Sequence, residues 1–303
     1  MRYSFYTADV FTNQIFGGNP LAVFPHAQSL TDWQMQKIAA EINYSETVFV
    51  LPPRTPEGTK QLRIFTPKAE LPFAGHPTVG TAYVLAHLGE ISLIDPETRI
   101  VFEEGVGPVP VQILSHQGKP TYTELTASQL PAFGPEPPSI EHLAPMLSLN
   151  PEDLLTGEYA PEAVSCGLPF LFIPLKNQRV LAQARLQRDR WQDLLSNFWA
   201  TCVYLFTLET SDPAIFLRSR MFAPALGIEE DPATGSAAAA LGGYLGVRDR
   251  REGILQWQIE QGIEMGRPSL LTVKITKQEN RIQQVCVGGS SVMVMEGMME
   301  IPN

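Results

Sequence analysis

Cysteine is scarce in this sequence. Its three residues, Cys166, Cys202 and Cys286, are far apart, odd in number and without CxxC spacing, so reduced and mostly buried thiols are expected rather than disulfides. The five histidines show no H-x-H or H-E-x-x-H spacing, and no metal site is expected. GxGxxG, Walker A and GxSxG patterns are missing, which argues against a dinucleotide enzyme, an NTPase and an α/β-hydrolase. Basic runs are missing too. The net charge is −10, and the one arginine-rich stretch, QARLQRDRW (183–191), reads as a solvated helix face. Non-specific nucleic-acid binding is thereby excluded, because nothing would replace the phosphate counterions. No apolar run reaches 18 residues and the first twenty residues hold no signal-peptide core, so a soluble cytoplasmic protein without a membrane partner is expected.

What the chain does have is length and an internal echo. Its 303 residues are about twice the usual size of a domain, which suggests two domains or a duplicated unit. Apolar residues make up 44% and charged residues 18%, enough for a real core. The stretch RIFTPKAELPFAGHPTVGTAYVL (63–85) matches RMFAPALGIEEDPATGSAAAALGGYL (220–245). Both open Arg-x-Phe-x-Pro, both pass through Glu-x-Pro-x-x-Gly (Glu70 to Gly75, Glu230 to Gly235), and both then enter a small-residue helix pattern. The spacing is 157 at the arginine and 160 at the glycine, so the second copy carries three extra residues in its loop. Weaker echoes keep the same order: 19–24 with 168–173, 47–50 with 203–206, and 107–113 with 267–273. This is a duplication.

Between the copies, the proline-rich LPAFGPEPPSIEHLAP (130–145) reads as a linker followed by a short helix. Short β-branched and aromatic runs predict strands at VFVLP, LRIFTP, IVFEEG and PVQIL, then at FLFIPL, CVYLFTL, LTVKITK and VCVGGSSVMVM. Helices are predicted at TDWQMQKIAAEIN, HPTVGTAYVLAHLGE, DRWQDLLSNFW and TGSAAAALGGYLG. Strands in runs, with few βαβ alternations, indicate an α+β fold with mixed or antiparallel sheets.

The two matched turns carry the chemistry. Gly75-His76-Pro77 and Thr234-Gly235-Ser236 each stand where a helix begins. Pro suits the first helical position, Ser or Thr can satisfy orphan N–H groups, and glycine lets a ligand approach the backbone closely. A helix N-terminus offers free N–H donors and the positive end of the macrodipole, which together bind carboxylate or phosphate. Two such termini related by pseudo-symmetry are expected to face one another across a cleft. The run Ala237–Ala240 with Gly242 and Gly243 lacks a surface helix's amphipathic pattern and fits a helix buried on all sides. His76, Asp231 and Glu46 are the ionisable candidates around the turns, against the plainer readings of a local cap, a turn former and a solvated strand end. Glu46 leads an apolar strand, where partial desolvation raises a carboxyl's pKa and suits it to pass protons both ways.

At these residues the sequence resembles the phenazine-biosynthesis PhzF-like isomerase family, within the diaminopimelate-epimerase-like fold. The matching stretches include DVFTNQIFGGNPLAVF, SETVFV, FAGHPTVGTA and EDPATGSAAAALGG, and the resemblance runs from about residue 5 to 300. It implies two pseudo-symmetric halves, each a β-barrel-like sheet wrapped around a central helix. These are expected at 1–125, joined by a C-terminal strand at about 290–303, and at 126–289. It also implies a homodimer, no cofactor, and proton shuttling on a small carboxylate-bearing substrate by Glu46. His76, Asp231 and Ser236 are the implied helpers, and backbone N–H groups at Gly75, His76, Gly235 and Ser236 hold the carboxylate. Asn19, in the matching GGNP turn, is implied to face the site. The cysteine racemases of this fold place a thiol directly before each turn glycine. Here those positions are Ala74 and Thr234, which excludes two-thiol racemisation, and none of the three cysteines lies beside either turn in sequence. An isomerase using Glu46 is the first reading. A binding or regulatory protein that keeps the anion cleft without turnover is the alternative, and a lyase or hydratase using the same carboxylate a third.

Overall fold

The computed structural model describes residues 1–301, which divide into two compact units: 1–128 with the segment from 287 onward, and 129–286. In the first unit β1 (Arg2–Val10) leads into a loop that closes at Gly18, where φ is +58° and an added Cβ would fall 2.3 Å from the Val10 carbonyl oxygen. β2 (Asn19–Phe24) returns antiparallel to β1. A capping box of Thr31 and Gln34 starts α1 (Asp32–Ile42), and Asn43 in the left-handed region stops it. That crossover lets β3 (Glu46–Leu51) lie parallel to β2, with Glu46 opposite Leu21. β4 (Lys60–Phe65) is antiparallel to β3 and pairs with the short β5 (Glu70–Leu71). After α2 (Gly75–His87) comes β6 (Glu97–Glu104), parallel to β4, and a meander through β7 (Gly107–His116) and β8 (Lys119–Thr126).

The second unit repeats this scheme. The proline-rich segment is more than a linker: β9 (Ala132–Phe133) forms within it, and α3 (Ile140–Met146) follows. β10 (Glu162–Ser165) pairs with β9 and, antiparallel, with β11 (Pro169–Pro174). The arginine-rich stretch does not form one helix; it spans the end of α4 (Gln178–Gln183), a break, and the start of α5 (Arg188–Leu195). β12 (Cys202–Thr207) lies parallel to β11, as β3 does to β2. β13 (Leu217–Ala223) is antiparallel to β12 and pairs with β14 (Ile228–Asp231). The loop insertion in this copy is a single 3₁₀ turn, Pro224–Leu226, closed by Gly227 at φ +80°. After α6 (Gly235–Gly246), β15 (Gly253–Gln261) lies parallel to β13 and pairs antiparallel with β16 (Ser269–Gln278). The run VCVGGSSVMVM is two strands: β17 (Arg281–Gly289) and β18 (Ser291–Glu300) part at Ser290, and β18 pairs with β1.

One ion pair ties each motif together. Arg63 and Arg220 each grip the glutamate of their own copy with two nitrogens, Glu70 at 2.8 and 2.7 Å and Glu230 at 2.8 and 2.9 Å. Each guanidinium also lies about 5 Å from the phenylalanine two residues on, Phe65 at 5.1 Å and Phe222 at 5.0 Å. The Arg-x-Phe box is thus the far side of the clasp that holds the Glu-x-Pro-x-x-Gly turn. Arg220 is the more buried of the two and also donates to the carbonyls of Leu181 and Ala184.

In the first unit α2 packs on β1, β2, β3, β7, β8 and β18. In the second, α6 packs on β10, β11 and β16, and Ser236 alone of its residues is not buried. An enclosed helix tolerates no bulk. A Cβ on Gly243 would lie 2.5 Å from the Pro131 ring, which cannot rotate away, while one on Gly242 would meet Val273 at 3.0 Å. Gly243→Ala is therefore expected to destabilise the fold by about 1–3 kcal/mol through overpacking. Gly242→Ala should fall near neutral, since the helix preference of alanine offsets ~1 kcal/mol of crowding. Thermal denaturation of the two variants side by side checks this. Arg220→Ala leaves Glu230 and two carbonyls without their cation and is expected to cost about 3–5 kcal/mol in a denaturant titration.

Candidate functional site

In the first unit, strand pairing and the helix start bring three of the sequence-predicted residues together. Asn19 begins β2, Glu46 begins the adjacent β3, and His76 is the second residue of α2. All three are buried. His76 Nε2 stands 3.4 Å from Glu46 Oε2, and His76 Nδ1 is 3.2 Å from Asn19 Nδ2. Ser45 donates to Asn19 Oδ1 at 3.1 Å. With the amide oriented so that its NH₂ faces the imidazole, Nδ1 accepts and the proton is assigned to Nε2, on the side of Glu46.

Burial pushes the His76 imidazole down to about 3. It is neutral near pH 7, so the Glu46 contact is an imidazole facing a carboxyl group and not an ion pair. Gly75, at the N-terminus of α2, is buried beside it, and the N-cap residue Ala74 has no side chain to cap the first turn. The leading N–H groups are left to other partners, the arrangement by which a helix N-terminus can receive an anion.

In the second unit, Asp231 ends β14 and Gly235 and Ser236 begin α6. Asp231 is buried, and its carboxylate accepts the Thr234 hydroxyl at 2.5 Å. Thr234 is the N-cap residue, yet its hydroxyl goes to Asp231 and makes no cap bond. Gln261, fully buried, completes the turn: it donates to the Asp231 carbonyl at 2.8 Å and to Thr234 Oγ1 at 3.1 Å, and accepts from the Thr234 N–H at 3.3 Å. Asp231 and Thr234 thereby set the shape of the turn, and Ser236 is left partly exposed at the head of the helix.

Sequence reasoning missed Ser45 and Gln261, and also Thr78 and Glu104, which lie behind the first turn. A signal for two of them was present. On β6 the buried residues Thr98, Ile100, Phe102 and Glu104 alternate, and on β15 so do Leu255, Trp257, Ile259 and Gln261. The period of two carries each polar residue onto the apolar face.

The three cysteines are free and buried. Burial pushes the Cys166 thiol up to about 12 and that of Cys202 to about 11, where neither supplies a thiolate. Distance along the sequence misled at Cys202: it lies near enough to Asp231 for the carboxylate charge to raise its thiol further. Among the described residues, no group of three or more His, Cys, Asp or Glu could hold a metal ion, and no helix is long and apolar enough to cross a membrane.

Known proteins match this chain along almost its whole length. The family model described as phenazine biosynthesis-like protein matches residues 8–297. The chain is 38% identical over 301 residues to an uncharacterized isomerase of Mesorhizobium japonicum, covering 97% of each chain. It is 34% identical over 290 residues to the trans-2,3-dihydro-3-hydroxyanthranilate isomerase of Pseudomonas aeruginosa, covering 95% of this chain and 96% of that one. Among solved structures, a phenazine biosynthesis protein of the PhzF family from Bacillus anthracis superposes with a TM-score of 0.89 at 28% identity, over 99% of this chain and all of that one. A match along almost the whole chain, on a duplicated α+β fold whose two helix-leading turns carry Ala74 and Thr234 before their glycines, places this protein in the phenazine biosynthesis-like family, as an isomerase of the PhzF type.

Proposed function

We propose that this isomerase moves a proton within a small carboxylate-bearing substrate, with Glu46 as general acid and base and the first-turn amides of α2 holding the substrate carboxylate. The observation that supports this best is the buried Glu46 carboxyl facing the Nε2–H of His76, one residue beyond the Gly75 amide. Shifting a proton between two carbons of one molecule needs no oxidant or reductant. One carboxylate that removes it and returns it elsewhere balances the reaction. A neutral imidazole suits the partner role: it stands 3.4 Å from the carboxyl group without a charge of its own, and is too weak a base to keep the proton. Asn19, itself held by Ser45, meets the other ring nitrogen of that imidazole. The head of α6, at Gly235 and Ser236, offers donors of the same kind, on a turn that Asp231 shapes.

The P. aeruginosa relative supplies the test compound, trans-2,3-dihydro-3-hydroxyanthranilate, which carries a carboxylate. With it, Glu46→Gln is expected to lower turnover by ~10²–10⁴-fold, and the wild type in D₂O should place deuterium on the carbon that gains the proton. Full turnover in the variant would end the assignment of Glu46. Tight binding by the wild type with no deuterium uptake would favour a metabolite-binding role.

A second expectation concerns His76. Its folded-state pKa lies below the ordinary value of 6.5, so between the two values the unfolded chain binds the proton that the folded chain refuses. The neutral form therefore contributes stability above pH 6.5 that is lost as pH falls toward 3. His76→Gln should flatten this part of the stability–pH curve measured by urea denaturation, and an unchanged slope would show that His76 is not the group responsible.

A further inference from the structure

Glu104 is a buried carboxyl that the proposed proton transfer does not use. It closes β6 on the same inner face as Ile100 and Phe102, and Oε2 makes no hydrogen bond among the described residues. Oε1 lies 2.7 Å from the Thr78 hydroxyl, and that hydroxyl is also 2.8 Å from the Ala74 carbonyl oxygen. A hydroxyl has a single proton. When it donates to Ala74, it can only accept from Glu104, so Glu104 then carries a proton of its own. The chain runs from the Glu104 acid to the Thr78 hydroxyl and on to the Ala74 carbonyl.

Its end point matters because the Ala74 carbonyl and the Gly75 N–H belong to one peptide plane. Whatever holds the oxygen also aims the hydrogen. The hairpin beyond Glu104 is fastened to the same turn. Val106 N–H donates to the Pro72 carbonyl at 3.1 Å, and Gly105 packs so closely that a Cβ there would lie 2.7 Å from Pro72 Cα.

The second unit has the same construction with different chemistry. Gln261 likewise closes its strand and precedes a glycine, Gly262, whose added Cβ would lie 2.5 Å from the Pro232 carbonyl oxygen. Its amide donates and accepts at once and cannot ionise. Where one copy braces its turn with an amide, the other uses an acid.

We propose that Glu104 is a positioning residue that works in its acid form, aiming the Gly75 N–H through Thr78 and the Ala74 carbonyl, and that its ionisation releases this donor. The proposal rests on the reading that the α2 terminus holds the substrate carboxylate. A Glu104 carboxylate would draw the Thr78 hydroxyl proton into a charge-assisted bond, leaving the Ala74 carbonyl only the longer bond from the Thr78 backbone N–H at 3.3 Å. Burial raises Glu104 to about 8, with Thr78 pulling the other way. The charged and titratable groups on the surrounding elements have partners of their own or lie at the far ends of their elements, His76 apart. Lys60 on β4 meets Glu90, and Arg63 meets Glu70 and Asp32. Glu103 accepts from Arg54 and Thr55, Glu124 on β8 accepts from Tyr122, and His116 closes the far end of β7. On α2, His76 is neutral throughout this range and His87 ends the helix.

The test follows the Gly75 and Thr78 amide resonances by ¹⁵N NMR from pH 6.5 to 9.5, in the wild type and in Glu104→Gln, whose amide can donate to Thr78 at every pH. An inflection near pH 8 in the wild type, absent from the variant, is expected. An inflection that persists in Glu104→Gln, or none in the wild type, overturns the proposal. A parallel assay with trans-2,3-dihydro-3-hydroxyanthranilate keeps the two readings apart. If only the acid form binds well, KM in the wild type should rise about tenfold by pH 9, with kcat less affected, and stay level in Glu104→Gln. Titrating amides with a level wild-type KM would uphold the Glu104 relay and overturn carboxylate binding at α2.

Discussion

A helix enclosed by strands must be narrow, and the groups at its ends must find partners in the surrounding sheet. Much of this structure follows from that constraint. It explains the run from Ala237 to Gly243 and the pressure of Pro131 against Gly243. It also explains why polar side chains at the ends of β6 and β15 turn inward, where an apolar residue would leave the helix-leading turn without a brace. The first peptides of an enclosed helix are already desolvated and held in direction before any ligand arrives, which is the condition under which backbone donors bind an anion well.

The arginine clasps serve the same end from the other side. In each copy a strand arginine takes the glutamate of the turn and lies over the neighbouring phenylalanine, so the loop entering the helix is pinned by charge, hydrogen bonding and ring contact together. Duplication preserved this frame, while the residues it displays diverged. His76 follows the glycine in one copy and Ser236 in the other. Thr78 takes part in the brace of the first turn, and Thr234 in that of the second.

Much of the frame could be read from the sequence because it is built from local rules. The Arg-x-Phe-x-Pro box, the glycine before each helix and the small-residue runs are short patterns with fixed geometric meaning. The α+β class and the two copies follow from them. Polar networks were harder to read. Ser45 looks like a loop serine until β2 and β3 pair and set it against Asn19. Glu104 beside Glu103 looks like a charged strand end, and the alternation of burial along β6 separates them, turning one inward and the other to the loop of Arg54 and Thr55. The proline-rich segment hid a strand because two residues are too few to show a period, and the break at Ser290 was masked by uniform β-propensity on both sides. Cys202 comes near Asp231 through the pairing of β12, β13 and β14, which no linear spacing reveals.

The pairing of β18 with β1 also bears on how the chain is made. Residues 129–286 form one unbroken stretch, whereas the other unit draws its last strand from beyond them. On the ribosome, the second unit is complete while β1 still has one edge open, awaiting a partner that has not been translated. The half that holds Glu46 and His76 is thus begun first and closed last. Its nascent form carries an unpaired strand edge for the whole time that the other half is being synthesised, the stage at which chaperones and edge-to-edge association compete for a growing chain.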